Sequence, residues 1–461
     1  MKAIDLDERR DLILHGDMKK TIITLATPIV LNNIIQTLYN LVDSYWVSGI
    51  GEISFAATGF IWPVMFLFIS IGIGLSIAST SLISQLIGRG DVQKVKTYKE
   101  NVYILTIILS IILVSIGIVF SSTILKLMGA EGKLFEESKA YLDILYLGIP
   151  FVFIFFSTNS MFQSAGDTRT PTIVSGISTI INAILDPIFI YDKIPFIGLQ
   201  GLNMGIKGAG LATILSQAFM AIILIISAIK KGLIDINFFK YKFDSAACKK
   251  IISIGVPSCV GQSGEALGFI ILNTFVLSYG QDTLTAFVTI NRVTSIISQP
   301  PGGIGQSIVS IVGQNKGVKN YDRVKLAFRT ACNMSNFICV LGSIVVWIFR
   351  DQVLGIFLNN ASENLMYLSR EYLFFILLTN FCMGLYNVYQ GLFQGSGKTD
   401  LAMKMLLGRL WVLRIPMILV FKHVFMMGPI AIWLAMSLSN LCTSLYGYIL
   451  YRKGNWKGDI I

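Results

Sequence analysis

Long stretches of apolar residues recur along the whole 461-residue chain, separated by short polar segments. A helix needs about 20 mostly apolar residues to cross the hydrocarbon core of a bilayer, and these stretches are long enough. Charged residues make up only 14% of the chain, whereas they make up about a quarter of a typical soluble domain. So little charge cannot cover a water-exposed surface. We therefore predict an all-α polytopic membrane protein.

The apolar stretches divide into about twelve transmembrane helices. Membrane barrel strands are excluded, because such strands are alternating segments of about 10 residues and these stretches are much longer. The predicted helices cover residues 20–49, 56–87, 100–124, 139–165, 170–191, 205–229, 250–279, 284–314, 328–350, 368–394, 401–423 and 428–451.

The distribution of positive charge predicts the orientation. If the N-terminus is cytoplasmic, most of the 37 Lys and Arg residues fall in the two termini and in the even-numbered loops. The loop between the sixth and seventh helices carries the densest group. Because cytoplasmic segments are enriched in Lys and Arg, we expect both termini to be cytoplasmic and the protein to lie in the plasma membrane.

The two halves of the chain resemble each other. The segment GIGLSIAS begins at Gly72, and the similar segment GIGQSIVS begins at Gly303. The segment FQSAGDT, which begins at Phe162, recurs at the same offset as FQGSGKT, and Pro28 and Pro257 are separated by almost the same interval. Matches at nearly one offset indicate an internal repeat.

Each half has an even number of predicted helices, so both halves enter the membrane from the same side. This predicts a parallel repeat with a substrate path between two bundles, as in secondary transporters. The expected divisions are a cytoplasmic N-terminal segment, an N-terminal six-helix bundle, a cytoplasmic linker, a C-terminal six-helix bundle and a cytoplasmic tail, at residues 1–19, 20–229, 230–249, 250–451 and 452–461.

Two carboxylates fall inside predicted helices of the first half. Ionisable groups in the bilayer core are costly, so each is a candidate functional residue. Asp43 lies in the first helix, and Asp186 lies in the fifth, four residues after Asn182 and directly before Pro187. The four-residue spacing places Asn182 and Asp186 on one helix face. Their oxygens suit Na⁺, and a carboxylate can also hold a proton. The alternative is that both acids lie at the outer interface.

The second half has one such carboxylate, Glu265, in the seventh helix, with Asn273 further along the same helix. We expect Glu265 and Asn273 to bind a cation or the charge of a substrate, or else to form structural hydrogen bonds. Three arginines inside predicted helices, Arg292, Arg409 and Arg414, either extend to the interface or pair with a carboxylate.

Composition argues against several other functions. The six cysteines are scattered without a C-x-x-C pair and there are only two histidines, so we expect no metal centre of the zinc or iron–sulfur type and no cofactor. No Arg-rich arm indicates nucleic-acid binding. No Ser–Lys dyad, His-rich cluster or paired-Asp motif points to an intramembrane enzyme.

Several short segments resemble the multidrug and toxic compound extrusion (MATE) family. They are VDSYWVSGIG, FQSAGDTRTP and NAILDPIFIY followed by GIKGAGLAT in the first half. In the second half they are GEALGFIILNTFVLSYG, GGIGQSIVSIVGQNKG and GLFQGSGKT. Their order and spacing cover nearly the whole chain.

This resemblance implies a V-shaped pair of six-helix bundles that exports organic cations in exchange for Na⁺ or H⁺. In one prokaryotic branch the cation site lies in the N-terminal bundle, and its residues correspond to Asp43, Asn182, Asp186 and Thr213. Another branch uses a glutamate that corresponds to Glu265, together with an aspartate whose place is taken here by Met383.

From the residues and the resemblance we expect a monomeric antiporter in the lipid bilayer that exports organic cations or amphiphilic drugs. Its coupling ion, Na⁺ or H⁺, binds Asp43, Asn182, Asp186 and Thr213, and Pro28 is the point at which the first helix bends. Glu265 and Asn273 form a secondary site. The alternative is a lipid or lipid-linked oligosaccharide flippase of the same superfamily, which would require a strongly cationic cavity.

Overall fold

The computed structural model describes residues 4–195, 198–235, 237, 241–358 and 361–458, and helices account for nearly all of them. The first half contains a short helix before the membrane and six long ones. They are α1 (Ile4–His15), α2 (Met18–Ser48), α3 (Glu52–Arg89), α4 (Val92–Leu127), α5 (Gly132–Ser164), α6 (Arg169–Ile190) and α7 (Ile206–Lys230).

The second half repeats the series of long helices. They are α8 (Ser245–Leu277), α9 (Gln281–Gly317), α10 (Tyr321–Ile348), the short α11 (Arg350–Phe357), α12 (Glu363–Gly395), α13 (Thr399–Leu407), a π-helical segment (Gly408–Arg414), α14 (Ile415–His423) and α15 (Ile430–Lys453). No strand longer than an isolated bridge occurs in the described ranges.

Ten of the described helices are long and apolar enough to cross a membrane. The other two predicted spans correspond to α9, which is 37 residues long, and to the continuous run of α13, the π segment and α14. The predicted class, an all-α polytopic membrane protein, is confirmed.

The chain divides into two compact units. Unit 1 consists of residues 1–11 and 31–259, and unit 2 consists of residues 12–30 and 260–461. The divisions fall after Val30 in α2 and after Cys259 in α8, in each case two residues beyond a proline, Pro28 or Pro257. Each unit therefore includes the first part of one of these helices and the second part of the other. The bundle limits predicted at residues 229 and 250 stay predictions.

Matching helix caps occur at corresponding turns of the two halves. The Asp91 carboxylate accepts a hydrogen bond from the Lys94 backbone N–H (3.0 Å) at the start of α4. The Asn320 side chain accepts one from the Arg323 N–H (3.0 Å) at the start of α10, the corresponding helix of the second half. Such caps satisfy backbone donors that a helix start leaves free. The shared local chemistry is what a duplicated sequence predicts.

Glycines allow close helix packing inside unit 2. A Cβ atom on Gly391 of α12 would lie 2.1 Å from the backbone oxygen of Gly305 in α9. Only glycine fits at such a distance, and small residues are the usual means by which membrane helices approach each other closely. The close approach of α9 and α12 at this point therefore depends on glycine at position 391.

An ion cluster closes the turn between α5 and α6 in unit 1. Asp167 is buried and lies 2.6 Å from the Lys231 ammonium group and 3.0 Å from the Arg9 guanidinium group. Burial by itself would raise the pKa of the Asp167 carboxyl, but Lys231, Arg9 and Thr170 outweigh burial and hold that pKa below its ordinary value. The cluster thus fixes the turn while Asp167 is ionised.

Candidate functional site in unit 1

Asn182 and Asp186 lie on the buried face of α6, with 1% and 0% of their surfaces exposed. The Asn182 amide donates a hydrogen bond to Asp186 Oδ1 (3.2 Å), which confirms that the four-residue spacing places them on one face. The second oxygen, Asp186 Oδ2, is buried and has no hydrogen-bond partner among the described residues. The carboxylate therefore keeps an unused acceptor in a buried position.

Asp43 lies inside α2, which continues to Ser48, so the helix does not end before this acid. Its side chain is half-buried, and Asp43 Oδ1 is buried without a hydrogen-bond partner in the described part of the chain. Asp43 and Asp186 are close enough to interact electrostatically. The structure therefore brings the two predicted carboxylates of unit 1 to one place.

Thr213 of α7 completes the predicted group, together with two tyrosines. Thr213 is buried, and its hydroxyl lies 3.4 Å from the Tyr39 hydroxyl. Tyr141 of α5 also lies near the Thr213 side chain and interacts electrostatically with Asp43 and Asp186. The sequence analysis missed both tyrosines. Tyr39 precedes Asp43 by four residues and so shares its helix face, which is a signal that could have identified it.

The ends of α2 and α6 are joined directly, and this holds the two carboxylates in place. The Tyr191 hydroxyl, directly after α6, donates a hydrogen bond to the Trp46 backbone oxygen near the end of α2 (2.5 Å). The two rings meet edge to face with centroids 6.2 Å apart. A Cβ atom on Gly49 would lie 2.2 Å from the Tyr191 hydroxyl oxygen. Gly49 therefore leaves the room that this connection requires.

The site can hold a small cation. It offers carboxylate, hydroxyl and amide oxygens, which are the ligands that hard cations prefer. Neither Asp43 nor Asp186 forms an ion pair with a basic side chain of the described residues, and each has a buried oxygen without a partner. Two such carboxylates repel each other unless a cation or a proton neutralises one of them. The oxygens present thus fit either Na⁺ or a proton as cargo.

Glu265 of α8 lies in unit 2 and has a basic partner. Its carboxylate forms an ion pair with Arg409, whose guanidinium group is 4% exposed. The same guanidinium approaches the Met383 sulfur (3.0 Å) and lies over the Tyr386 ring, 4.3 Å from its centroid. Met383 therefore contacts a fixed cation. Of the two alternatives considered for Arg409, the structure shows pairing with a carboxylate.

Asn273, the other residue predicted for the second site, is exposed and lies about two helical turns beyond Glu265. The described contacts of Glu265 are made with Arg409 and do not include Asn273. The predicted role of Glu265 and Asn273 in binding a cation or substrate stays a prediction.

An all-helical membrane protein with a duplicated series of helices and a buried acidic site in one unit has the features of a secondary transporter. The sequence model of the MatE family matches residues 28–188 and 257–420, well over half of the chain. The chain belongs to the MatE family, whose members are transporters rather than enzymes. The two matches begin at Pro28 and Pro257, the two prolines that the repeat aligns, which confirms the internal repeat.

Relatives cover almost the full length. Probable multidrug resistance protein YoeA of Bacillus subtilis is 26% identical, over 91% of this chain and 91% of its own. Multidrug export protein MepA of Staphylococcus aureus is 22% identical over 96% of each chain. The crystal structure of MATE in the bent conformation is 25% identical, with a TM-score of 0.87 and 98% of each chain covered.

Proposed function

We propose that this transporter exports organic cations or amphiphilic drugs in exchange for Na⁺ or H⁺. The observation that carries the proposal is the pair Asp43 and Asp186, two acids that each have a buried oxygen without a hydrogen-bond partner and no basic partner among the described residues. Relatives named as multidrug resistance and multidrug export proteins support the substrate class.

The coupling ion acts by binding more tightly to one conformation than to the other. In the outward-open state it binds Asp43, Asp186, Asn182 and Thr213 and neutralises the charge of the two acids. Neutralisation removes the cost of enclosing two like charges, so the site contracts and the cavity releases the drug. When the ion leaves on the cytoplasmic side, repulsion between the acids favours the state that captures the next drug molecule.

Pro28 is the proposed bending point of α2. Proline has no backbone N–H, so the carbonyl of Thr24 lacks its usual helical donor, and the helix is weaker there. The division between the two units falls two residues further on, and Asp43 lies on the later part of the same helix. A bend at Pro28 would therefore change the surroundings of Asp43 directly.

The proposal places both termini in the cytoplasm, the protein in the plasma membrane, and one chain in each working transporter. It requires no cofactor. A lipid-linked flippase, the alternative considered from the sequence, is not favoured, since the relatives named above are multidrug proteins.

The decisive experiment is dye efflux from proteoliposomes that contain the purified protein, with Na⁺ and proton gradients imposed separately. We expect one gradient to drive efflux, and Asp43→Asn to abolish it while the protein still inserts normally. Asp186→Asn should raise the ion concentration that gives half-maximal efflux about 10- to 100-fold, the range found when a residue that supports a bound metal ion is lost. Asp192→Asn, which removes an exposed acid shortly after α6, is the matched control. Efflux by Asp43→Asn at the wild-type rate would refute the coupling site.

A further inference from the structure

Unit 2 contains two buried arginines, and a π-helical segment places both on the same face of its helix. The Ile415 backbone N–H donates to the Leu410 carbonyl, five residues earlier, in place of the four of an α-helix. Arg409 and Arg414 are also five residues apart, with 4% and 2% of their surfaces exposed. In an α-helix of 3.6 residues per turn, that spacing would make the two side chains point in directions well over a quarter turn apart around the helix axis.

Pro416 explains why the widened turn forms here. Proline cannot donate a backbone hydrogen bond, and its ring excludes the carbonyl four residues earlier from normal helical geometry. A wider turn directly before Pro416 relieves this conflict, and such turns are frequent at functional sites. The local sequence therefore builds the feature that aligns the two arginines.

The hydrogen bonds of Arg414 go to neutral groups. Its Nε donates to the Ser439 hydroxyl (2.9 Å) and its Nη2 donates to the Asn440 side-chain oxygen (2.7 Å). Among the described residues, the one carboxylate that interacts electrostatically with Arg414 is Glu265, which is already paired with Arg409. The two guanidinium groups thus share a single negative charge.

One donor of the pair is unused. Arg409 Nε is buried and has no hydrogen-bond partner in the described part of the chain, while Arg409 Nη2 donates to Glu265. Nε and a terminal nitrogen form the edge with which arginine binds carboxylates and phosphates through two bonds. Arg409 Nε itself is buried, so a ligand would reach this edge by displacing the Glu265 carboxylate, whose side chain is 22% exposed.

We propose that Arg409 and Arg414 form a binding site for one anionic group, a carboxylate or a phosphate carried by an amphiphile. Arginine cannot lose its proton to escape the cost of burial, so the excess positive charge requires an anion. Tyr386 and Met383 beside Arg409 provide apolar surroundings for the rest of the ligand. Chloride is a free anion that the same guanidinium donors would bind. The Glu265 carboxylate competes with chloride and with the anionic amphiphile for the donors of Arg409.

The test is equilibrium binding to the purified full-length protein in detergent, with gluconate as the bulky background anion. Octanoate, acetate and chloride are titrated, and octylammonium serves as the cationic control. Binding is followed by tryptophan fluorescence, because Trp411 lies inside the π segment and donates to the Gly264 carbonyl next to Glu265. The variant Trp411→Phe identifies the local part of the signal.

We expect saturable binding of octanoate. Octylammonium belongs to the class of cations whose export is proposed above, and its binding should not become tighter in Glu265→Gln. Arg414→Gln should weaken octanoate binding at least 10-fold, Glu265→Gln should tighten it at least 10-fold, and Arg292→Gln, at an exposed arginine of α9, should leave it unchanged. Octanoate binding tighter than both acetate and chloride identifies an amphiphile as the occupant, and equal binding of all three identifies a free anion.

The proposal is overturned if no anion binds saturably, if Glu265→Gln tightens octylammonium binding as it does octanoate binding, or if Glu265→Gln weakens octanoate binding. Glu265→Gln changes one atom of the side chain, so the test does not depend on Arg414→Gln folding. The site is independent of ion coupling in unit 1. Binding should therefore be the same in an Asp43→Asn background, whatever the outcome of the efflux experiment.

Discussion

The contact between Gly49 and Tyr191 allows the connection between α2 and α6 to be tested by a double substitution. In Gly49→Ala the new methyl group would lie 2.2 Å from the Tyr191 hydroxyl oxygen, while the next nearest ring atom is 3.2 Å away. Tyr191→Phe removes that oxygen together with its hydrogen bond to the Trp46 carbonyl. The severe clash in the first variant should therefore be relieved in the double variant, which keeps only the tight 3.2 Å contact with the ring.

The expected magnitudes follow from these contacts. Gly49→Ala should lower the free energy of unfolding by about 1–3 kcal/mol, as overpacking does. Tyr191→Phe should lower it by about 1 kcal/mol, the net worth of one hydrogen bond. The double variant should lose only about the amount lost by Tyr191→Phe, so the two effects couple by about 1–3 kcal/mol.

Equilibrium unfolding in mixed detergent and SDS micelles measures all three variants. Gly59→Ala in α3 is the control, since an added Cβ there meets no atom within 4 Å. Ion-driven efflux should fall further in Gly49→Ala than in the double variant, because the clash displaces the end of α2 that carries Asp43. Additive losses of stability would refute the proposed contact and its role in holding the site.

Two further predictions concern the scaffold. Asp167→Asn should cost about 1.5–3 kcal/mol of unfolding free energy at pH 7, because Lys231 and Arg9 lose their charged hydrogen-bond partner. The pKa of Asp167 in the folded state is below its ordinary value, so protonation of Asp167 destabilises the wild type as the pH falls below about 4. Unfolding measured at several pH values should therefore show that the difference in unfolding free energy between the wild type and Asp167→Asn becomes smaller at low pH. Gly391→Ala should lower the free energy of unfolding by about 3 kcal/mol, because the new Cβ would lie 2.1 Å from the Gly305 backbone oxygen. An unchanged thermal stability would contradict this prediction.

The helices and the repeat could be predicted from the sequence because short stretches of sequence are enough to determine both. The length of an apolar segment is enough to identify a membrane span, because in a bilayer the backbone N–H and C=O groups must form their hydrogen bonds within the segment, as they do in a helix. The two caps at Asp91 and Asn320 arise from short segments that the duplication copied. Their agreement with the structure requires no knowledge of which helices are neighbours.

The acidic site was predictable only in part. The four-residue spacing brings Asn182 and Asp186 together within one helix, whereas the nearness of Asp43 depends on how α2 packs beside α6. Tyr141 belongs to a third helix, and no spacing in the sequence relates it to Thr213.

What the sequence determined by itself was the helical membrane class, the repeat, and the presence of acids where lipid would otherwise exclude them. The tertiary structure decided which of those acids have a basic partner. Glu265 lies far before Arg409 in the chain and is paired with it, while Asp43 and Asp186 have no basic partner in the described part of the chain. The physical reason is that burying a charge sets a cost locally, but the group that compensates it comes from whichever helix packs alongside.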